Sequence, residues 1–506
     1  MYSKKLIPAI FFSAALLIGI ISYKTYGIPY DEPVQRDLGL ATWAYIQGEN
    51  DSLLHLINKF HDAAYEVFLT VPEKIFHLQT GAAIYHSRHF INYLIFWIGS
   101  IFFFLLAKKI FINHWLSLLP VGMLYLTPRI FAHAFYNSKD IPLMVFFIIS
   151  IYCMVIFLDH PSFKNVFLFA LASGFLLGLR VVGIIVPAFA VIFFLWNLIF
   201  RNNELRNLKY LLWYFLLFVI FSYAFYPVLW KEPITNAMDA FTIMSHYPFD
   251  TRMLFMGKMI SPLEVPWYYI PVWMGITIPL FWQVVFIAGI SLIVFNGIKS
   301  VAFLNHHWKI ILLVAWLFIP WLMVVLLHST IYDEWRHLFF IYPAFLLIAV
   351  FGIREIWMFP SGKHPLIFLS IKVSFFFLLI WQIMDVASFM IRNHPHEYVY
   401  FNALAGNNVG TNYELDYWGL SYREALEYLV QHDKSREIKA CWQNAPGYYN
   451  LSWLSPAERS RIHELPYDSC KYFLTNYRLH PDQYAHPGWY TVKVNNLNIL
   501  TVEKLH

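Results

Sequence analysis

Charge is scarce in this sequence. Asp, Glu, Lys and Arg make up 13% of its 506 residues, about half the share of a soluble domain. A water-facing surface for a chain of this length cannot be assembled from so few. Cysteine is scarcer still: Cys153, Cys441 and Cys470 exclude a disulfide framework. Cys153 lies in an apolar run, where packing is its ordinary role. Cys441 and Cys470 both fall near the C-terminus and either pair or stay free, as the redox compartment allows. There is no long run of Lys or Arg, so the net charge of +5 gives no footprint for nucleic acid. No internal repeat or low-complexity segment is visible. No small-x-small cleavage site follows the apolar stretch after Met1-Tyr2-Ser3-Lys4-Lys5, so that stretch reads as an uncleaved first span.

What the sequence has instead is apolar and aromatic. It is 59% hydrophobic and 20% aromatic, and its 19 Trp and 33 Tyr suit the membrane–water boundary, where an amphipathic ring is stable. Apolar stretches near spanning length recur at 6–23, 89–107, 115–134, 141–158, 165–182, 184–200, 211–230, 275–296, 310–328, 338–358 and 366–390. The pair between 165 and 200 reads as two spans because Arg180 and Gly183 interrupt it. With the N-terminus cytoplasmic, every inside connection is basic: Lys108-Lys109, Lys164, Arg201 with Arg206 and Lys209, Lys299 with Lys309, and Arg354 with Lys363. The expected organisation is a membrane module over 1–390 and an extracytoplasmic domain over 391–506.

The pieces facing outward are then 24–88, 135–140, 231–266, 329–337 and the tail. In the first, Val34, Leu38, Ala41 and Tyr45 recur at helical spacing, which predicts an interfacial helix, with Pro33 in its first turn and Asp31 placed as its cap. The tail reads as an α/β domain. A helix is expected over 420–430, capped by Ser421 with Glu424 three residues on, and strands over 490–494 and 499–502.

Three clusters of ionisable residues sit at span ends on this outer face: Asp31-Glu32, Lys139-Asp140 and Asp333-Glu334-Trp335-Arg336-His337. A charge deep in a bilayer costs roughly 2.5–3.5 kcal/mol or more, so each either snorkels to water or lines a wet cavity with a partner. If the clusters converge, they suit transfer of a sugar from a lipid phosphate. A carboxylate takes the proton of an acceptor hydroxyl, and Arg or Lys neutralises the departing phosphate. Adjacent residues on a helix diverge, so one of Asp31 and Glu32 would be the base and the other an organiser. The rival reading is a transporter or lipid flippase with charge clusters at its span ends, although such clusters belong nearer the midplane in related halves.

Four segments then become familiar in order: Tyr30-Asp31-Glu32; Pro128-Arg129 through Lys139-Asp140-Ile141-Pro142; Tyr332-Asp333-Glu334-Trp335-Arg336-His337-Leu338; and, in the tail, His396-Glu397-Tyr398-Val399-Tyr400-Phe401-Asn402 with Asp416-Tyr417-Trp418-Gly419-Leu420-Ser421-Tyr422. In these the chain resembles the GT-C superfamily of polyprenyl-phosphate-sugar-dependent membrane glycosyltransferases. The nearest branch is that of the protein O-mannosyltransferases and lipid A aminoarabinose transferases, in a bacterial subgroup. The resemblance implies a mainly α bundle of about eleven transmembrane helices with a C-terminal α/β domain, in the bacterial inner membrane. It implies an inverting transfer to a hydroxyl acceptor (protein, lipid or glycan), with no required cofactor; a divalent metal is allowed but not called for. By resemblance Asp31 is the general base, Glu32 its support and Asp140 a second acidic residue. Arg336 binds the donor phosphate, with His337, Lys139, Arg129 and Arg180 beside it. One departure stands out: a Gly-Gly pair expected after Phe401-Asn402 is replaced by Ala405-Gly406-Asn407-Asn408.

Other motifs have plainer readings. His306-His307 belongs to an interface, His394-Pro395-His396-Glu397 is poorly spaced for a metal, Asp416-Tyr417-Trp418-Gly419 is a structural turn, and Trp267-Tyr268-Tyr269 is an aromatic anchor.

Overall fold

The computed structural model describes residues 3–200, 205–249, 251–358 and 365–505 except 481, 483, 485 and 487. Arg201 and Lys363, two of the predicted cytoplasmic cations, lie outside the described residues, as does the side chain of His306. Each predicted apolar stretch falls largely on helix, although 275–296 straddles a break at Ile278-Pro279 and 211–230 one at Tyr226. Among the described residues, eight helices are long and apolar enough to cross a membrane, nine if the bent pair His114–Tyr125 and Pro128–Tyr136 is one span. Leu6–Ser22 and Phe163–Leu179 are apolar but shorter. Arg180 stands in extended backbone between Phe163–Leu179 and the next helix, as the interruption predicted.

The expected span 115–134 is redrawn. It breaks before Pro128 and bends by 71°, because the residue preceding a proline is disfavoured in helical backbone. Thr127 is extended, at φ −107° and ψ 100°. Its hydroxyl donates to the Met123 carbonyl (2.8 Å) and shares a hydrogen bond with the Tyr342 hydroxyl (2.7 Å). The bend carries Pro128–Tyr136 into the protein, where all of its residues are buried.

The helices differ in what surrounds them. Only 17% of the Leu369–Asn393 window is buried, against 83% of Arg336–Met358, so the former faces lipid and the latter is the central post. Leu280–Lys299 lies against that post at backbone distance. A Cβ on Gly289 would stand 2.2 Å from the Ile348 carbonyl oxygen, and one on Gly352 2.3 Å from that of Val285. Small residues permit this approach, and backbone cannot yield as a side chain can. Gly289→Ala is therefore expected to lower stability by about 1–3 kcal/mol, read as a fall in the unfolding temperature in detergent. Gly122→Ala, where nothing lies within 4 Å, is the matched control; equal unfolding temperatures for the two would refute the packing argument.

At one end of the bundle Lys309 joins Asp159 (2.8 Å) and the Lys109 carbonyl (3.4 Å), gathering three of the predicted basic connections. At the other end, beyond Asn393, the chain carries a five-stranded sheet. After a hairpin of β1 (Met253–Phe255) and β2 (Lys258–Ile260) come β3 (Ile438–Trp442), β4 (Ile462–Glu464), β5 (Tyr472–Thr475), β6 (Gly488–Val494) and β7 (Leu497–Lys504), ordered β4-β3-β5-β7-β6. β3 pairs parallel to β4 and β5, and the rest are antiparallel. Cys441 and Cys470 form a disulfide.

The tail is stitched to the bundle through main chain. The Tyr30 amide donates to the Trp418 carbonyl (2.9 Å), and the Asn402 amide to that of Ile276 (2.9 Å). Asn450 brackets Ile28, accepting from its amide and donating to its carbonyl, both at 2.9 Å. The expected cap on the tail helix is corrected: Ser421 occupies the cap position of Tyr422–His432 but makes no cap bond. Its hydroxyl donates to Asp416, while Glu424 accepts from Tyr490 (2.6 Å) and pairs with His396 (3.0 Å).

Candidate active site

Asp31 occupies the N-cap position of the helix Glu32–Ile46, yet its side chain caps nothing. This corrects the expectation from sequence, and the reason is competition. A cap bond is worth about 1 kcal/mol, whereas the carboxylate here meets two cations where water is partly excluded. Its Oδ2 lies 2.6 Å from Lys139 Nζ and 3.8 Å from an Arg336 nitrogen. Burial pushes the Asp31 pKa up, but the Lys139 and Arg336 charges outweigh it and hold the group below its ordinary value. The Asp31 side chain is 29% exposed, against 8% for Lys139 and none for Arg336. It is the member of the set that an incoming molecule meets.

Arg336 is the hub. Its guanidinium pairs with Asp140 (3.0 Å), Asp333 (3.4 Å) and Asp31. Its plane is held by the Tyr332 and Trp418 rings, each 4.9 Å away, a stacked and forked geometry that lysine cannot reproduce. Asp140 also pairs with Arg180 (2.9 Å). Asp333 also takes Arg478 (3.0 Å), a residue of the tail. Asp31, Asp140 and Asp333 thus face Lys139, Arg180, Arg336 and Arg478, and Glu414, whose pKa burial raises to about 7, adds part of a negative charge beside Arg478. Asp62, 3.9 Å from Arg180, adds no negative charge at neutral pH, because burial lifts its pKa to about 8 against the pull of Arg180 and Lys139. A cluster of four cations where the helices Asp140–Asp159 and Arg336–Met358 begin can take an anion in exchange for one of its carboxylates.

Behind this layer lie two buried networks. Glu32 points away from Asp31 and is held by Arg88 (3.2 Å) and His89 (3.0 Å). Arg88 also takes Glu66 (2.7 Å), which accepts from the Ser138 hydroxyl (2.5 Å). Arg129 pairs with Glu334 (2.8 Å) and donates to the Tyr400 carbonyl (3.0 Å), and Tyr417 donates to Glu334 (2.6 Å). Removing Arg88 would leave two buried carboxylates without their guanidinium, Glu32 with only His89 and Glu66 with only the Ser138 hydroxyl, so Arg88→Leu is expected to destabilise by about 3–5 kcal/mol. A detergent melting curve checks this, and one matching the unmodified protein would refute it.

Of the residues singled out from sequence, Asp31, Lys139, Asp140, Arg180 and Arg336 meet in one cluster. Glu32 and Arg129 sit one layer back and contact the cluster through no ion pair among the described residues. His337 lies edge-on to Tyr332, with ring centroids 4.6 Å apart. The turn at Asp416 is structural, its carboxylate accepting from Tyr398 and from the Gly419, Leu420 and Ser421 amides. It nonetheless delivers Trp418 to Arg336 and Tyr417 to Glu334. In the aromatic anchor, Trp267 is exposed while Tyr269 is buried, its hydroxyl accepting from the Glu334 amide (3.2 Å). Sequence reasoning missed Asp62, Glu66, Arg88 and Arg478. The first three lie in or beside the first long loop and carried no motif. Arg478 is 145 residues from its partner Asp333 and carried no signal. Among the described residues no group of three or more His, Cys, Asp or Glu side chains is placed to hold a metal ion.

Residues 75–229 match the family described as dolichyl-phosphate-mannose-protein mannosyltransferase. No curated relative matches by sequence. Two solved structures share the architecture over most of the chain. One is ArnT from Cupriavidus metallidurans bound to undecaprenyl phosphate, at 13% identity and TM-score 0.50, covering 98% of this chain and 97% of that one. The other is the oligosaccharyltransferase AglB from Archaeoglobus fulgidus in complex with an inhibitory peptide and a dolichol-phosphate, at 10% identity and TM-score 0.52, covering 94% and 70%. At these identities the likeness is one of fold.

Proposed function

We propose that this chain, a multi-pass membrane protein of GT-C fold, is an inverting glycosyltransferase that moves a sugar from a polyprenyl phosphate to a hydroxyl acceptor at the outer face of a bacterial inner membrane. The observation that carries the reading is a single one: the partly exposed Asp31 carboxylate lies within ion-pair distance of Lys139 and Arg336 where membrane helices begin. The polyprenyl chain stays in lipid while its phosphate reaches these cations. The match to a mannosyltransferase family and the undecaprenyl and dolichol phosphates of the two similar structures support the donor class.

In the proposed step the acceptor oxygen attacks the anomeric carbon and its proton passes to Asp31. The bond from that carbon to the phosphate oxygen breaks, and its electron pair leaves with the lipid phosphate, whose charge Arg336 and Lys139 neutralise. Asp140, Arg180 and Asp333 hold the Arg336 fork in place, and Glu32 fixes the loop from behind. The tail, 391–506, closes the site through Trp418 and Arg478. Basic connections at the opposite end and a disulfide suited to an oxidising compartment support a cytoplasmic N-terminus and an outer tail.

A kinetic signature follows. The donor phosphate competes with Asp31 for Lys139 and Arg336, and so removes the charges that depress its pKa. The acid limb of kcat/KM, which reports free protein, should lie below about pH 4, the ordinary aspartate value. The limb of kcat, which reports the donor complex, should lie at higher pH. Coincident limbs across a pH series would refute the sharing of these cations.

A further inference from the structure

The helix Pro233–Ser245 follows the span that ends at Phe225 and has three distinct faces. At 3.6 residues per turn, Asn236, Ala240 and Met244 share one of them. That face meets protein: Asn236 donates to the Val228 carbonyl (3.0 Å), Ala240 is buried, and Met244 packs against the cluster that holds Leu38, Leu53, Phe60 and Tyr226. Thr235, Asp239 and Thr242 form a second face, polar and exposed. Ile234, Met238 and Phe241 form the third. It is wholly apolar, and the three residues are 77%, 67% and 54% exposed. A contiguous apolar stripe left open in this way marks a contact surface.

Its surroundings say what it contacts. The preceding helix faces lipid: only 22% of the Leu205–Phe225 window is buried, and Leu212, Leu216, Val219 and Ile220 stand exposed along it. The chain leaves that helix through the turn Pro227–Trp230 and enters Pro233–Ser245 directly afterwards, so the second helix starts at the depth where the span ends. Trp230 marks that depth. Its indole donates to the Tyr223 carbonyl (2.7 Å), and its ring stacks on Tyr45 (6.1 Å). Amphipathic rings of this kind settle at the headgroup level, and Tyr45 belongs to Glu32–Ile46, the helix whose spacing predicts an interfacial position. Charge sets the terms of the contact. Interfacial helices are commonly rich in Lys and Arg on the polar face, but Pro233–Ser245 carries neither, and its one charge is Asp239. Just before it, Lys231 and Glu232 offset each other. Nothing on the helix draws an anionic headgroup.

We infer that Pro233–Ser245 lies along the lipid surface on the side of the charged cluster, held there by apolar burial without help from anionic lipid, and that this hold fixes the segment behind it. Met244 and Tyr247 line a cavity of about 160 Å³ beside Arg180. Tyr247 packs edge-on to His61 (4.9 Å), and Phe249 stacks on Tyr332 (3.9 Å), whose ring lies against Arg336. Lipid thus supports one wall of the site, whatever reaction the cluster performs.

The test is spin labelling of the full chain in phosphatidylcholine nanodiscs, in a Cys153→Ala background that removes the free thiol. Labels at Ile234→Cys, Met238→Cys and Phe241→Cys should meet dissolved oxygen, which concentrates in lipid, severalfold more than a water-soluble nickel chelate. Labels at Thr235→Cys and Asp239→Cys should reverse that order. The ratios should hold when phosphatidylglycerol replaces part of the lipid. They should also hold when salt rises from about 0.1 M to about 1 M, which cuts the Debye length from about 10 Å to about 3 Å. A label at His246→Cys should become more mobile when Met238→Glu and Phe241→Glu are added. Three results would overturn the lipid contact: nickel preferred at all five positions, an oxygen preference seen only with anionic lipid or low salt, or spin–spin broadening at Met238→Cys that fades on mixing with unlabelled protein, the mark of a second copy on the stripe. A His246→Cys spectrum unmoved by the two glutamates would overturn the hold on the site wall.

Discussion

Asp31→Asn is expected to leave a folded protein whose turnover falls about 10²–10⁴-fold, the usual contribution of a positioned general base. The amide keeps the shape of the side chain and loses the proton-accepting charge. Asp31 is partly exposed and makes no cap bond, and the amide oxygen can still accept from Lys139, so the fall in unfolding temperature should be smaller than that of Arg336→Ala. Binding of bare lipid phosphate should not weaken, because the substitution frees Lys139 and Arg336 from a competing carboxylate. That combination of lost turnover with retained or tightened phosphate binding separates a base from a residue that merely shapes the site. A folded Asp31→Asn protein turning over at the unmodified rate would remove Asp31 from the mechanism.

Arg336 carries the second large effect, and it acts on binding. Its guanidinium is fully buried and makes three ion pairs, so Arg336→Ala removes the hub of a buried cluster, leaving Asp140 to Arg180 and Asp333 to Arg478, and is expected to destabilise by about 3–5 kcal/mol. Loss of donor binding in that variant alone would be ambiguous. Arg336→Lys keeps the charge and forfeits the fork and the stacking between Tyr332 and Trp418. It should stay folded and bind polyprenyl phosphate about tenfold to a hundredfold more weakly, as for a charge-assisted hydrogen bond lost. Titration with bare lipid phosphate reads this directly, and an unchanged affinity in the folded lysine variant would exclude Arg336 from the phosphate site.

Much of this was legible in the sequence because lipid imposes a coarse grammar. Apolar length alone located the helices, and the scarcity of charge made Asp31, Lys139, Asp140, Arg180 and Arg336 conspicuous. The break at Thr127 was marked by Pro128 but masked by unbroken apolarity on either side. The caps at Asp31 and Ser421 were misjudged for one shared reason: local signals placed each residue correctly at a helix start, and a stronger nonlocal partner, Lys139 in one case and Asp416 in the other, took its side chain. β3, β4 and β5 escaped notice because they are three to five residues long, too short for alternation to register. Arg478 was invisible because nothing near it in the chain hints at Asp333; only the packing of the tail on the bundle brings them together.

The most direct measurement is release of free polyprenyl phosphate by the purified full chain, followed by mass spectrometry with a panel of polyprenyl-phosphate sugars and hydroxyl acceptors. Acceptor-dependent release from at least one donor, absent in Asp31→Asn, is the predicted result. Donors that bind and remain intact with every acceptor, or release that persists in Asp31→Asn, would contradict a carboxylate and a guanidinium acting together on one sugar phosphate.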